Sequence, residues 1–395
     1  MARKTQWKQG ARAAGLGLVL MSAGVGAVSC QVADAGNVMG PSVSADAEGA
    51  SPISIAATDA GERMAIGIRD TRLVAQLTGS GTPNATAVRW DVYGTDLGHM
   101  FWHRDRLYMV FGDTFGRGGR RWGRHWRSNV LARLAAPDLR RDVLRMESMV
   151  TDENGFAREL LPSRKVDGVE KTVIPTNGVS TGRRMFLHYM SVQKWHGAGR
   201  WDVGHSGLAY SDDDGETWIR PESAVWPTGL GFEQVAFVRQ DDWVYSFGIP
   251  GGRHGGVRLR RVASEHMLEP GAYQYWDGTG WVSAAEEAAT LVSGPVGELS
   301  VAWNAHYRQW MMMSLDPARH AVLLRFAGEL TGPWSDGEVV VSAEDQPGLY
   351  APYIVPLREL GREIWFTMSK WKPYNVFLMR MTLGDVPVRA DKPEE

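Results

Sequence analysis

Leu107-Tyr108-Met109-Val110-Phe111-Gly112 is an apolar run of strand length closed by a glycine, and four later stretches repeat its character. They are Met185-Phe186-Leu187-His188-Tyr189-Met190-Ser191, Trp243-Val244-Tyr245-Ser246-Phe247-Gly248, Gln309-Trp310-Met311-Met312-Met313-Ser314 and Ile364-Trp365-Phe366-Thr367-Met368-Ser369. Each starts roughly 55 to 80 residues after the last, the spacing of propeller blades joined by variable loops. An apolar run precedes each of them: Leu97–Trp102, Val179–Thr181, Val235–Val238, Leu299–Trp303 and Tyr353–Leu357. A third run follows each: Val130–Leu134, Gly207–Tyr210, Val257–Val262, Val322–Phe326 and Val376–Met381. A fourth strand is expected near Leu144, Trp218, Trp281 and Val339. Gly, Pro, Asn and Asp clusters separate the runs, and no long amphipathic helix stands out. The expected fold is all-β, a five-bladed β-propeller over residues 85–385, with Ala85–Tyr93 closing the ring against the last blade. A β-sandwich is the alternative.

Ser211-Asp212-Asp213-Asp214-Gly215-Glu216-Thr217-Trp218 supports the propeller independently. It resembles the Asp box of sialidases and related propellers. An Asp side chain ties down a tight turn, Gly supplies positive φ, and Trp packs beneath the hairpin. Asp213 is therefore read as structural.

Outside that domain the chain changes character. Arg3, Lys4, Lys8 and Arg12 precede a mostly apolar or small run from Ala13 to Val28, the pattern of an export signal. Cys30 is the only cysteine and follows that run directly, which resembles a bacterial lipobox with Ala27 in place of the usual Leu. Lipidation at Cys30 is the expectation; simple secretion or a retained anchor is the alternative. Residues 31–84 are assigned to a flexible linker and residues 386–395 to a disordered tail, because their small and polar residues bury too little surface to offset chain entropy. With one cysteine the domain has no internal disulfide.

The 395 residues carry a net charge of −2, so there is no global basic field for nucleic acid. H-E-x-x-H and P-loop patterns are absent, and no metal or cofactor is expected, apart from a structural cation as an alternative occupant of the channel. Seventeen Trp residues supply flat faces with one N–H donor each, suited to sugar rings as well as to cores. Flat aromatics beside cations mark the loops 116–127, 193–205, 250–256 and 370–375; Trp122, Trp126, Trp201, His205 and Trp371 are the expected substrate-binding residues there.

In a propeller the innermost strand of each blade lines the central channel. Alignment of the repeats puts Asp96, Asn177, Glu233, Glu298 and Tyr350 at the entries of those strands. Converging carboxylates are costly unless they do something. Blade one carries a second acid. If His103 pairs with Arg106 across the turn at Arg104-Asp105, the same register sets Asp96 directly opposite Asp113, and one of the two pKa values should rise. The alternative is that Asp113 caps a turn.

Thr95-Asp96-Leu97-Gly98 followed by Leu107–Phe115 resembles the opening of an actinobacterial domain family, long of unknown function, that includes endo-D-arabinanases acting on mycobacterial cell-wall arabinan. The resemblance covers about residues 85–385 and is strongest at the Asp96/Asp113 hairpin. It implies a glycoside hydrolase with those two acids catalytic. Glu233 or Glu298 would then protonate the leaving oxygen across the channel, with inversion the expected stereochemistry. The expected partner is a polysaccharide, and the expected assembly a monomer. Two rivals stand beside this: a non-catalytic envelope lipoprotein that binds glycan or protein, and a sialidase-like exo-enzyme using Tyr350 as nucleophile.

Overall fold

The computed structural model describes residues 64–118, 124–137, 144–197 and 199–387. The stretch expected to be an export signal, Cys30, Trp122 and residues 388–395 of the expected tail lie outside these residues. The described residues fold into five antiparallel sheets. The first holds β2 (Leu97–His103), β3 (Arg106–Phe111), β4 (Val130–Leu134) and β5 (Met146–Met149). The second holds β6 (Thr172–Thr181), β7 (Arg184–Gly197), β8 (Arg200–Ser211) and β9 (Val225–Trp226). The third is larger than expected, with six strands: β10 (Gln234–Gln240), β11 (Trp243–Ile249), β12 (Val257–Ala263), β13 (Gln274–Trp276), β14 (Trp281–Val282) and β15 (Thr290–Val292). The fourth holds β16 (Leu299–Asn304), β17 (Gln309–Asp316), β18 (Ala321–Ala327) and β19 (Glu338–Ser342). The fifth joins β20 (Leu349–Ile354), β21 (Glu363–Lys370) and β22 (Asn375–Pro387) to β1 (Met64–Gln76).

The innermost strands β2, β6, β10, β16 and β20 pack side by side, and the fifth returns to the first. Five apolar clusters fill the wedges between consecutive sheets. Phe101, Leu131 and Leu187 join sheets one and two, and Phe186, Trp226 and Tyr275 join two and three. Phe247, Leu259 and Met312 join three and four, while Met313, Leu324 and Phe366 join four and five. Met109, Trp365 and Leu378 close the circuit between five and one. This is a β-propeller, and it follows from the repeated apolar runs: each buries both faces, one against each neighbouring sheet. The fully buried Arg260 sits in an aromatic cage at the second junction, 4.6 Å from the Trp226 ring and 4.7 Å from those of Phe232 and Tyr273.

Ring closure corrects two expectations. Ala85–Tyr93 forms no closing strand; it holds a short helix, α1 (Thr86–Trp90). The closing strand is β1, inside the stretch assigned to the linker. It pairs antiparallel with β22 from Met64–Pro387 to Gln76–Phe377. Its apolar residues are sparse because it is the outermost strand of its sheet, yet Ile66, Ile68 and Val74 still pack against the core. The ordered domain therefore begins by residue 64, and β22 carries it through Pro387.

The Asp box is structural, as read. Asp213 accepts from the Thr217 N–H (2.8 Å), the Thr217 hydroxyl (2.6 Å) and the Ser211 hydroxyl (2.8 Å). The neighbouring Asp214 reaches back to His103 at 3.0 Å and so pins the box to the first hairpin turn.

Candidate active site

A cavity of about 320 Å³ opens at the end of the channel where the inner strands begin. Asp96, Asp113, Glu298, Tyr350, Trp201 and Trp371 all line it, so six of the expected site residues converge. His99, Thr176, Gln234, Arg253, Trp195 and Tyr374 complete much of the wall.

The two hairpin acids meet by a route other than the one expected. The register runs as anticipated from His103–Arg106 to His99–Val110, then slips by one residue at Gly98, so that Leu97 faces Phe111. The Gly112 N–H donates to the Asp96 carbonyl at 3.2 Å, and regular pairing resumes at Gly94–Phe115. Asp96 therefore does not sit squarely opposite Asp113; its side chain lies over Gly112. A Cβ on Gly112 would come 2.5 Å from the Asp96 carboxylate oxygen Oδ1. The bulge needs left-handed backbone at Leu97 (φ 66°) and Gly98 (φ 78°), and such strain at a non-glycine residue is typical of functional sites. Gly112→Ala should accordingly push the Asp96 carboxylate aside and lower turnover by at least about tenfold, with a melting temperature close to wild type. Steady-state kinetics and a thermal melt on the same preparation check this.

The acids have different environments. Burial, then the charge of Asp113, raise the Asp96 pKa to about 7; hydrogen bonds from Tyr350 and Tyr374 pull it down without cancelling the rise. The Tyr350 hydroxyl donates to Asp96 Oδ2 at 2.9 Å. Burial, then Asp96, hold the Tyr350 phenol well above its usual range, so it stays protonated. Asp113 Oδ1 accepts from the Thr172 hydroxyl at 2.6 Å and the Trp126 indole N–H at 2.8 Å, contacts that favour a carboxylate. Of the two, Asp96 is the one whose proton burial and its neighbour's charge hold more tightly than in an ordinary carboxyl. Burial lowers the His99 pKa to about 4. Its Nδ1–H donates to the Thr176 carbonyl at 2.5 Å, a bond that opposes this drop without cancelling it. Burial opposes the charge of Arg253, but Glu298 more than offsets this and raises its pKa.

Four expected site residues do not reach the cavity. Glu233 turns away and accepts from the Gly229 N–H, while the next residue, Gln234, lines the wall. Asn177 likewise accepts from the Gly178 N–H at 2.8 Å, beyond a bulge at Pro175/Asn177, and Thr176 takes the channel position. In both sheets the alignment was off by one residue, which in a strand reverses the face. Trp126 stands behind Asp113 as its hydrogen-bond donor. His205 lies in a separate hollow with Glu170 and Arg220. Trp195, exposed by 37%, and Trp371, exposed by 38%, rim the mouth on two different hairpins. Arg253 and Tyr374 lie in loops, and Trp195 near the end of β7, in stretches whose aromatic and basic content is visible, but nothing local distinguishes them from their neighbours. Thr172 gave no signal at all. Among the described residues no three His, Cys, Asp or Glu side chains group as metal ligands.

The family described as a domain of unknown function, DUF4185, matches residues 81–380. Notoamide biosynthesis cluster protein J of Aspergillus sp. (strain MF297-2) is 29% identical over 317 residues, spanning 74% of this chain and 83% of that protein. Among solved structures, a candidate hydrolase from Bacteroides ovatus ATCC 8483 matches with a TM-score of 0.54 at 13% identity, over 75% of this chain and 88% of the other. An exo-β-1,3-galactanase from Phanerochaete chrysosporium, solved with β-1,3-galactotriose, matches with a TM-score of 0.50 at 10% identity, over 82% and 68%. At such identities the likeness is one of fold.

Proposed function

The chain belongs to the DUF4185 family, and from that premise we propose that it is a glycoside hydrolase acting on cell-wall polysaccharide, cutting within D-arabinan. The observation that carries the reading is the Asp96–Asp113 pair: two carboxyl groups in one cavity, one of them with a pKa near 7. The hairpin's resemblance to endo-D-arabinanases supports the substrate. The shared fold with a galactanase is consistent with glycan chemistry. Each sheet counts as one blade, giving a five-bladed propeller. The domain is proposed to be exported, held through a lipid on Cys30, and monomeric.

In this mechanism Asp96 gives its proton to the glycosidic oxygen as the bond to the anomeric carbon breaks. Asp113, held as a carboxylate by Thr172 and Trp126, attacks that carbon. Water then releases the sugar, with Asp96 taking the water proton back. Asp96 and Asp113 belong to one hairpin; a carboxyl separation of ~5–5.5 Å goes with retention and one of ~6.5–9.5 Å with inversion. A double displacement by the hairpin pair predicts retention, whereas a cross-channel pair with Glu298 predicts inversion. Proton NMR of the first product anomer decides between them.

Purified arabinogalactan incubated with wild type and Asp96→Asn tests the activity itself. Reducing ends should appear only with wild type, and equal release by both would remove Asp96 from the mechanism. Binding without any product after long incubation would favour a glycan-binding envelope protein instead. A sialidase-like route has less support, because the Tyr350 phenol is kept neutral and spends its proton on Asp96.

The pH profile gives a finer check. Activity should fall above about pH 7, where Asp96 loses its proton. Tyr350→Phe removes a hydrogen bond that favours the anion, so the alkaline limb should move to higher pH. A limb that stays put or moves down would contradict the assignment of Asp96 as the acid.

A further inference from the structure

Arg253 and Glu298 come from sheets three and four, and meet in the cavity wall. Arg253 Nε donates to both Glu298 oxygens, at 3.0 and 3.1 Å, and Nη2 donates to Oε1 at 2.7 Å. The guanidinium lies 5.6 Å from the Trp201 ring and 5.1 Å from that of Tyr350. The two side chains are only 13% and 8% exposed. A fork gripped in this way has already lost its freedom and surrenders little more on meeting a ligand. Its third nitrogen, Nη1, makes no hydrogen bond among the described residues.

We infer that Arg253 is a substrate-binding residue that donates to a neutral sugar oxygen, that Glu298 is the positioning residue that holds it, and that together they set the cavity against anionic glycans. The inference rests on the reading of the cavity as a glycosidase site. It departs from the expectation that Glu298 protonates the leaving group.

Two observations carry it. A proton donor must turn one protonated oxygen toward the leaving group, whereas both Glu298 oxygens are taken up as acceptors from one guanidinium. A sialic or uronic acid needs an unmatched cation. The charge of Arg253 is matched by Glu298, and Asp96 and Asp113 stand in the same cavity, so a ligand carboxylate meets more repulsion than attraction. A hydroxyl oxygen carries no such penalty and can accept from Arg253.

The test compares two probes by calorimetry: methyl α-D-arabinofuranoside, and the same glycoside oxidised to a carboxylate at C5. Wild type should bind the neutral glycoside more tightly by at least about tenfold. Glu298→Gln leaves the cation unmatched and should narrow or reverse that preference. Its KM on arabinogalactan should rise by roughly 10- to 100-fold, while the alkaline limb of the pH profile remains. A fall in kcat of about a thousandfold with KM unchanged would make Glu298 the proton donor and overturn the inference. An unchanged probe preference in Glu298→Gln would overturn it too. Should that variant fail to fold, the double variant Arg253→Met/Glu298→Leu removes both charges together. It should bind the neutral glycoside more weakly than wild type, and equal binding would sink the role of Arg253. If wild type binds neither probe and cuts no glycan, the hydrolase reading falls with it. Cutting by an enzyme whose preference ignores Glu298 overturns this inference alone.

Discussion

Asp96→Asn should lower turnover by at least about a thousandfold and, at pH 8, melt at a higher temperature than wild type. The two effects have one cause. Burial and the Asp113 charge raise the Asp96 pKa from an ordinary 3.8 to about 7. The native state thus binds this proton more tightly than the unfolded chain does. The stability it contributes is complete below about pH 4 and is lost as pH rises through about 7. Asn carries no such titration. The difference in melting temperature between variant and wild type should be near zero at pH 4, grow between pH 4 and 7, and level off above. Its size should be on the order of a few degrees for a domain this large. A variant that is inactive but shows no pH-dependent gain would mean that Asp96 is ordinary in its titration and acts only as a contact.

Removal of β1 should be the most damaging change to the fold. A chain beginning at residue 85, where the sequence pattern places the domain start, would leave β22 without its outer partner along its whole length. It would also lose Thr78, whose hydroxyl donates to Asn375 at 2.8 Å and accepts from the Val376 N–H at 3.0 Å. The buried Asn84 would go as well; it donates to the carbonyls of Leu77 and Leu144 and accepts from the Met146 N–H. An edge of that length, with its backbone groups bare, is a template for association. Such a protein should be recovered largely as aggregate, or melt lower by about ten degrees or more, whereas a chain beginning at residue 60 should match the full sequence. Indistinguishable melts for the two shortened forms would show that the ring holds without its clasp.

The fold was legible because each inner and middle strand is apolar on both faces, and that pattern recurs five times. β1 was not legible, because an outermost strand needs only a few apolar residues, and Arg69, Asp70 and Arg72 between them read as linker. In the candidate site, Asp96, Glu298 and Tyr350 could be found from repeat alignment, and Asp113 from the first hairpin. Asn177 and Glu233 could not be told from Thr176 and Gln234, since one residue of register decides which face a side chain takes. The bulge at Leu97 was also hidden. Gly98 hints at positive φ, but nothing in a leucine announces left-handed backbone. Arg253 lies in a glycine-rich turn, and its importance depends on a carboxylate from the next sheet.

The antiparallel pairing of β1 with β22 also fixes which way the cavity looks. The turn that leads into β22 carries Trp371 and Tyr374 at the rim, whereas Met64 and Pro387 lie together at the far ends of those strands, about 40 Å away by strand rise. The described chain thus begins at the end opposite the mouth. An addition made to the chain at Met64 would therefore start from that end and leave the Trp371 rim clear.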